Sequence, residues 1–211
     1  MINSFAANAQ KLIEFSVPKE YNKITEVFGD LDKDGINEIV YIYDTNISTD
    51  EGNFKRELYI CKQSENKIFL WKKNKTVIWN SKDYGFYNDS LPQLEIENNT
   101  LIVKQKFQSN SRHQTVYKNI FRFQNNDWFL IGATTSNSDN CLWDFEDDIN
   151  FSTKKVRIYK HYDSCEDNGP EPQKDEEYNF KYPFKETPKM DNFFPGKTHI
   201  QMQKQEMNFS Y

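Results

Sequence analysis

Histidine is scarce in this chain. His113, His161 and His199 are the only three in 211 residues, and neither a His-x-x-x-His nor a Cys-x-x-Cys spacing occurs. Zinc therefore has little support, because its sites are built from such closely spaced nitrogen and sulfur ligands. No apolar run approaches the roughly 20 residues that a membrane-spanning helix needs. Positive charge is not in excess either, with 27 Lys+Arg against 32 Asp+Glu, a net charge of −5. Nucleic acid and anionic membranes would both be repelled by that balance. Seven glycines and seven prolines argue against low complexity. Gly-x-Ser-x-Gly, the phosphate-binding loop and the dinucleotide fingerprint are all missing, which leaves the chain without a familiar catalytic signature. What is present is aromatic. Hydrophobic residues make up only 36% but aromatics reach 16%, so a core can be built from few, large side chains. The length fits one domain, or one domain with a tail.

The most informative stretch runs from Gly29 to Glu38, Gly-Asp-Leu-Asp-Lys-Asp-Gly-Ile-Asn-Glu, straight into Ile39-Val40-Tyr41-Ile42-Tyr43. Carboxylates recur at every second position from Asp30 to Asp34, and Glu38 closes the series. Hard cations such as Ca²⁺ take six to eight oxygen ligands in irregular geometry, which a tight loop of alternating aspartates can supply. Gly35 is expected to take the positive φ that folds the loop back on its own ligands. The ion's ligands are read as the side chains of Asp30, Asp32, Asp34 and Glu38, with the Ile36 carbonyl between them. An EF-hand would need a Glu at the twelfth position; counting from Asp30, that place is Tyr41. The β-branched and aromatic residues after Glu38 predict a strand, not a helix.

On those residues the loop resembles the FG-GAP or integrin-type calcium loops, Asp-x-Asp-x-Asp-Gly-x-x-Asp/Glu, over about sixteen residues. A propeller repeats its motif at a fixed period, whereas here the motif occurs once. More broadly the chain is similar to small exported bacterial proteins with one such loop near the N-terminus and a late aromatic hairpin, here Phe121 to Gly132. That resemblance implies a fold and a compartment rather than an activity.

Export is also read from Ala7-Asn8-Ala9 before Gln10, which matches the small-x-small cleavage rule. Residues 1–9 are then the remnant of a signal peptide whose start lies upstream, and the protein is periplasmic or secreted. If Met1 is the true start, it is cytoplasmic. Residues Lys11 to Tyr21 predict a short helix or turn. After them come strands at Ile24–Phe28, Glu38–Asp44, Arg56–Cys61, Lys67–Trp71 and Thr76–Trp79. Three hairpins follow. Leu94–Glu97 pairs with Leu101–Phe107 across Asn98-Asn99, and Thr115–Phe123 with Trp128–Ala133 across Asn125-Asn126-Asp127. Leu142–Ile149 pairs with Val156–Tyr162. Asn tolerates the positive φ of tight hairpin turns. The expected fold is mainly β: an antiparallel meander of about ten strands closing partway into a barrel or sandwich over residues 10–162. Residues 163–211 hold five of the seven prolines and read as an irregular, aromatic-rich arm packed on the domain, with fraying past Ile200.

In an exported protein two of the three cysteines should pair. If the last hairpin turns on Thr153, within Ser152-Thr153-Lys154, Cys141 and Cys165 lie twelve residues either side of it and face each other. Their disulfide would close a loop of about 25 residues and stabilise by about 3 kcal/mol. Cys61 would remain a buried free thiol. Asp144-Phe145-Glu146-Asp147-Asp148 offers the two carboxylates a glycosidase needs, although acidic strands usually face solvent. Trp71, Trp79, Trp128 and Trp143 could stack on sugars, but at strand spacing they read as core. The functional expectation is a non-catalytic, monomeric calcium-binding β-module that presents a surface to a protein or glycan. The alternatives are a periplasmic immunity or inhibitor protein and a carboxylate-dependent hydrolase using the acidic strand.

Overall fold

The computed structural model describes residues 12–65, 67–85, 91–164, 171–202 and 207–211. The chain builds two antiparallel meanders that share one core, and neither closes into a barrel. The first sheet contains β1 (Ile13–Glu14), β2 (Asn22–Gly29), β3 (Glu38–Ser48), β4 (Phe54–Ser64) and β5 (Lys67–Asn74), in the order β1-β5-β4-β3-β2. The second comprises β6 (Gln93–Glu97), β7 (Thr100–Gln108), β8 (His113–Gln124), β9 (Asp127–Asp139), β10 (Trp143–Asn150), β11 (Lys155–Tyr162) and β12 (Glu176–Lys181), in sequence order. A separate hairpin joins β13 (His199–Met202) to β14 (Met207–Ser210). The mainly-β expectation holds, in the sandwich form.

Alternation along the strands explains the layering. Side chains two apart share a face, so Val40, Ile42, Leu58 and Ile60 of the first sheet meet Leu101, Val103, Phe121, Leu130, Ile149 and Val156 of the second. Trp71 is the extra residue of a β-bulge, where pairing shifts between Ile60–Lys72 and Cys61–Leu70. Its ring reaches across to Trp128 at 5.1 Å and Phe123 at 4.5 Å. The opposite face of the first sheet carries a second cluster of Ile39, Tyr41, Tyr43, Tyr59 and Cys61. β3 is therefore buried on both sides.

The residues covering that second cluster correct the expected N-terminal helix. Ile13 and Glu14 pair with Leu70 and Phe69, and the Phe15 N–H donates to the Ile68 carbonyl at 2.7 Å. Phe15 packs on Tyr59 with ring centres 5.2 Å apart. So short a segment is marginal as a helix, and Pro18 ends it early; the extended form gains both the sheet edge and the tyrosine face. Residues 1–11, including the proposed leader remnant, lie outside the described residues.

Both Asn-Asn hairpins form as expected, with φ of 50° and 57° at Asn98 and Asn99 and 51° and 60° at Asn125 and Asn126. Thr76–Trp79 is not a strand. The Asn74 side-chain carbonyl captures the N–H groups of Thr76 and Val77 at 2.8 and 2.9 Å, a local turn that competes with sheet pairing.

The C-terminal arm is more regular than expected. β12 adds to β11 as the edge strand of the large sheet, with Val156 opposite Phe180; prolines flank it, as an edge allows. Phe184, Met190, Phe193, Phe209 and Tyr211 are buried in the main core. The fraying expected past Ile200 is not seen at the last residue, where Tyr211 and Thr198 exchange two backbone hydrogen bonds.

The last hairpin corrects the cysteine register. Asn150 pairs with Lys155 and Trp143 with Tyr162, and the Asp163 N–H donates to the Leu142 carbonyl at 2.8 Å. One further step of the same register sets Cys141 opposite Ser164. The turn has four residues instead of three because Phe151 drops into the core, 2% exposed, and Lys154 closes it at φ 58°. Cys165 lies outside the described residues. Cys61 is a free thiol, fully buried, and burial pushes its pKa up to about 12.

Candidate metal centre

The loop between β2 and β3 is anchored from within. Leu31 sits between two of the aspartates yet is 1% exposed and part of the main core. Its N–H donates to Glu38 Oε2 at 2.7 Å. Glu38, the first residue of β3, is itself 1% exposed. Asp30 closes the far end, accepting from the Lys33 N–H at 2.6 Å and the Gly35 N–H at 3.2 Å. Gly35 takes φ 83°, as expected, and Lys33 also adopts a left-handed conformation at φ 70°.

Two other elements hold the loop in place. Asn99, in the turn between β6 and β7, donates from Nδ2 to the Asp30 carbonyl at 2.9 Å. Gly29 lies so near Ile96 of β6 that an added Cβ would come within 2.5 Å of its side chain. The centre therefore stands where the edges of the two sheets meet.

The carboxylates of Asp30, Asp32 and Glu38 converge, each offering an oxygen within 4.8 Å of the others. Asp34 stands further out, about 43% exposed, and its Oδ1 accepts the Ile36 N–H at 2.8 Å. Ile36 has an exposed side chain. Asp32 Oδ1 is buried and has no hydrogen-bond partner. A buried carboxylate oxygen is costly unless a cation or donor meets it. Burial pushes the Glu38 pKa up to about 7; the Leu31 N–H opposes the rise, nearby Asp32 and Asp34 add to it, and Lys62 opposes it.

Lys62 was not legible from the motif. It projects from β4 into the loop, bonds Asp32 Oδ2, and lies 3.6 Å from Asp34 and 3.7 Å from Glu38. Its ammonium also lies over the Trp71 ring, 4.5 Å from the centre. Strand register brings it there, since Ile39 pairs with Cys61 and the next step sets Lys62 beside Glu38.

The donor set is all oxygen, which suits Ca²⁺ or another hard cation and not zinc. The orphaned Asp32 oxygen is the feature such an ion would satisfy. Asp30, Asp32 and Glu38 would hold it through carboxylates.

The other candidates lie away from this loop. Glu146 pairs with Arg157 at 3.2 Å, and Asp148 accepts from Thr134 at 2.9 Å. Asp144 and Glu146 line an open groove of about 450 Å³ on the outer face of the large sheet with Gln114, Ser136 and Tyr159. Asp147 accepts the Ser210 N–H at 3.0 Å, and burial raises its pKa to about 6. His113 is held by Asp139 and His161 by Asp175, while His199 opens β13. Trp71 and Trp128 are buried, and Trp79 and Trp143 are half-buried against Tyr84 and Phe145.

Among the described residues no helix is long and apolar enough to cross a membrane. Compared with protein-family models, curated proteins and solved structures, the chain matches none.

Proposed function

We propose that the loop from Asp30 to Glu38 is a calcium site, and that the protein is a non-catalytic, exported β-module which the ion stabilises. The observation that carries this reading is the convergence of Asp30, Asp32 and Glu38, with one buried Asp32 oxygen left unpartnered. The site joins the β2–β3 loop, β4 and the β6–β7 turn, so an ion there would brace the seam between the sheets. The module would then present its surface to a protein or glycan, with the groove lined by Asp144 and Glu146 on the outer face of the large sheet as one polar platform.

Millimolar calcium should raise the melting temperature of metal-stripped protein, since a ligand specific to the folded state stabilises it as RT ln(1 + [L]/Kd). At 100 times Kd that is about 2.7 kcal/mol. Magnesium should do much less, because it demands a smaller, stricter octahedron. Asp32→Ala should remove most of the effect and Asp148→Ala should leave it. Equal calcium shifts in both variants would defeat the assignment.

Export also predicts a Cys141–Cys165 disulfide beside the Cys61 thiol. Facing positions are not required, because Cα separations up to about 6.8 Å are bridged. Non-reducing peptide mapping of protein made in an oxidising compartment should return that linked pair; a pair containing Cys61, or none, contradicts it.

A further inference from the structure

Four acidic side chains gathered around one loop repel each other unless positive charge stands among them, and the loop they surround is anchored by the buried Leu31. One ammonium provides the balance. Lys62 touches or approaches Asp32, Asp34 and Glu38, three of the four side chains expected to hold calcium. Its side chain is 22% exposed, its stem rises from the rigid β4, and its head rests on the Trp71 face, a favourable place for a cation. Lys62 is thus built into the sheet instead of the loop, and it can neutralise the carboxylates without changing the backbone that carries them.

We propose that Lys62 is the resident counter-cation of this loop, and that calcium and the Lys62 ammonium are alternative occupants of the same carboxylates. This rests on the calcium reading above. Lys62 bonds Asp32 Oδ2, whereas Oδ1 of the same carboxylate is the unpartnered oxygen, so a dication taken up there would face the ammonium across one carboxylate, and like charges so placed repel. Ion binding would therefore drive Lys62 off Asp32 and off the Trp71 ring. Lysine suits the role, being a single point charge on a flexible four-carbon stem that can swing to solvent. The exchange sets the affinity. If the lysine is docked in about nine molecules of ten, the apparent calcium affinity is lowered about tenfold.

The test is calorimetric titration of calcium chloride into metal-stripped wild type, Lys62→Met and Lys62→Gln, with tryptophan emission followed in parallel. Methionine keeps the apolar stem on Trp71, and glutamine serves if the first variant fails to fold in chelator. Calcium should bind the variants about tenfold tighter. It should change tryptophan emission in the wild type, as the ammonium leaves the ring, and much less in the variants. Equal affinity in all three chains would overturn the exchange while leaving the calcium site intact. No binding by any of them would overturn the calcium reading, and the exchange with it.

Discussion

Gln105→Leu should lower the unfolding free energy by about 3 kcal/mol, although it replaces one buried side chain with another of similar size. Gln105 of β7 is 1% exposed. Its Oε1 accepts the Trp79 N–H at 2.9 Å and the Tyr84 hydroxyl at 3.3 Å, and its Nε2 donates to the Val77 carbonyl at 2.9 Å. The stretch from Lys75 to Tyr84 has no strand ladder, so these bonds replace one. It nevertheless delivers Val77, Ile78 and Tyr84 to the interior. Leucine would leave the backbone groups at Val77 and Trp79 unpaired, and each such buried group costs about 1–3 kcal/mol. Urea unfolding monitored by tryptophan emission measures the loss. A decrease below about 1 kcal/mol would mean that packing alone holds the segment.

Stability of the metal-free chain should fall as pH rises from the ordinary Glu value of 4.5 towards about 7, and Glu38→Gln should remove that fall. The sign follows from which form each state prefers. Over this window the unfolded carboxyl has lost its proton while the buried one keeps it, so the folded state binds more protons and raising pH destabilises it. A shift of this size corresponds to about 3 kcal/mol once both states are ionised. Asp147, raised to about 6 by burial, acts with the same sign, so the Glu38 contribution is read as the difference between wild type and Glu38→Gln. Calcium should reverse the trend, because a ligand carboxylate must be deprotonated and binding becomes tighter as pH rises. Identical pH slopes for wild type and Glu38→Gln in chelator would contradict this account of Glu38.

Local signals carried far along this chain and long-range register did not. Two Asn-Asn pairs announce two hairpins, because asparagine tolerates left-handed backbone, and Gly35 closes the acidic loop for a related reason. The strands on either side of that loop follow from β-branched and aromatic runs. Thr76–Trp79 has the same composition but is diverted by the Asn74 side chain, a competition that residue type alone does not resolve. The extended N-terminal strap depends on a tyrosine face that exists only after β3 and β4 have paired. Lys62 was invisible for the same reason: it reaches Asp32 through the pairing of Ile39 with Cys61, and nothing near it in sequence marks it. The cysteine register failed by one residue because the burial of Phe151 lengthens a turn whose composition looks three residues long.

The loop from Asp30 to Glu38 is proposed to take up calcium. Calorimetric titration of metal-stripped wild type at pH 8, above the Glu38 pKa of about 7, tests it most directly. The account predicts saturable binding of one ion per chain, lost in Asp32→Ala. No binding heat at any buffer ionisation enthalpy, or one ion per chain in Asp32→Ala as well, would contradict it.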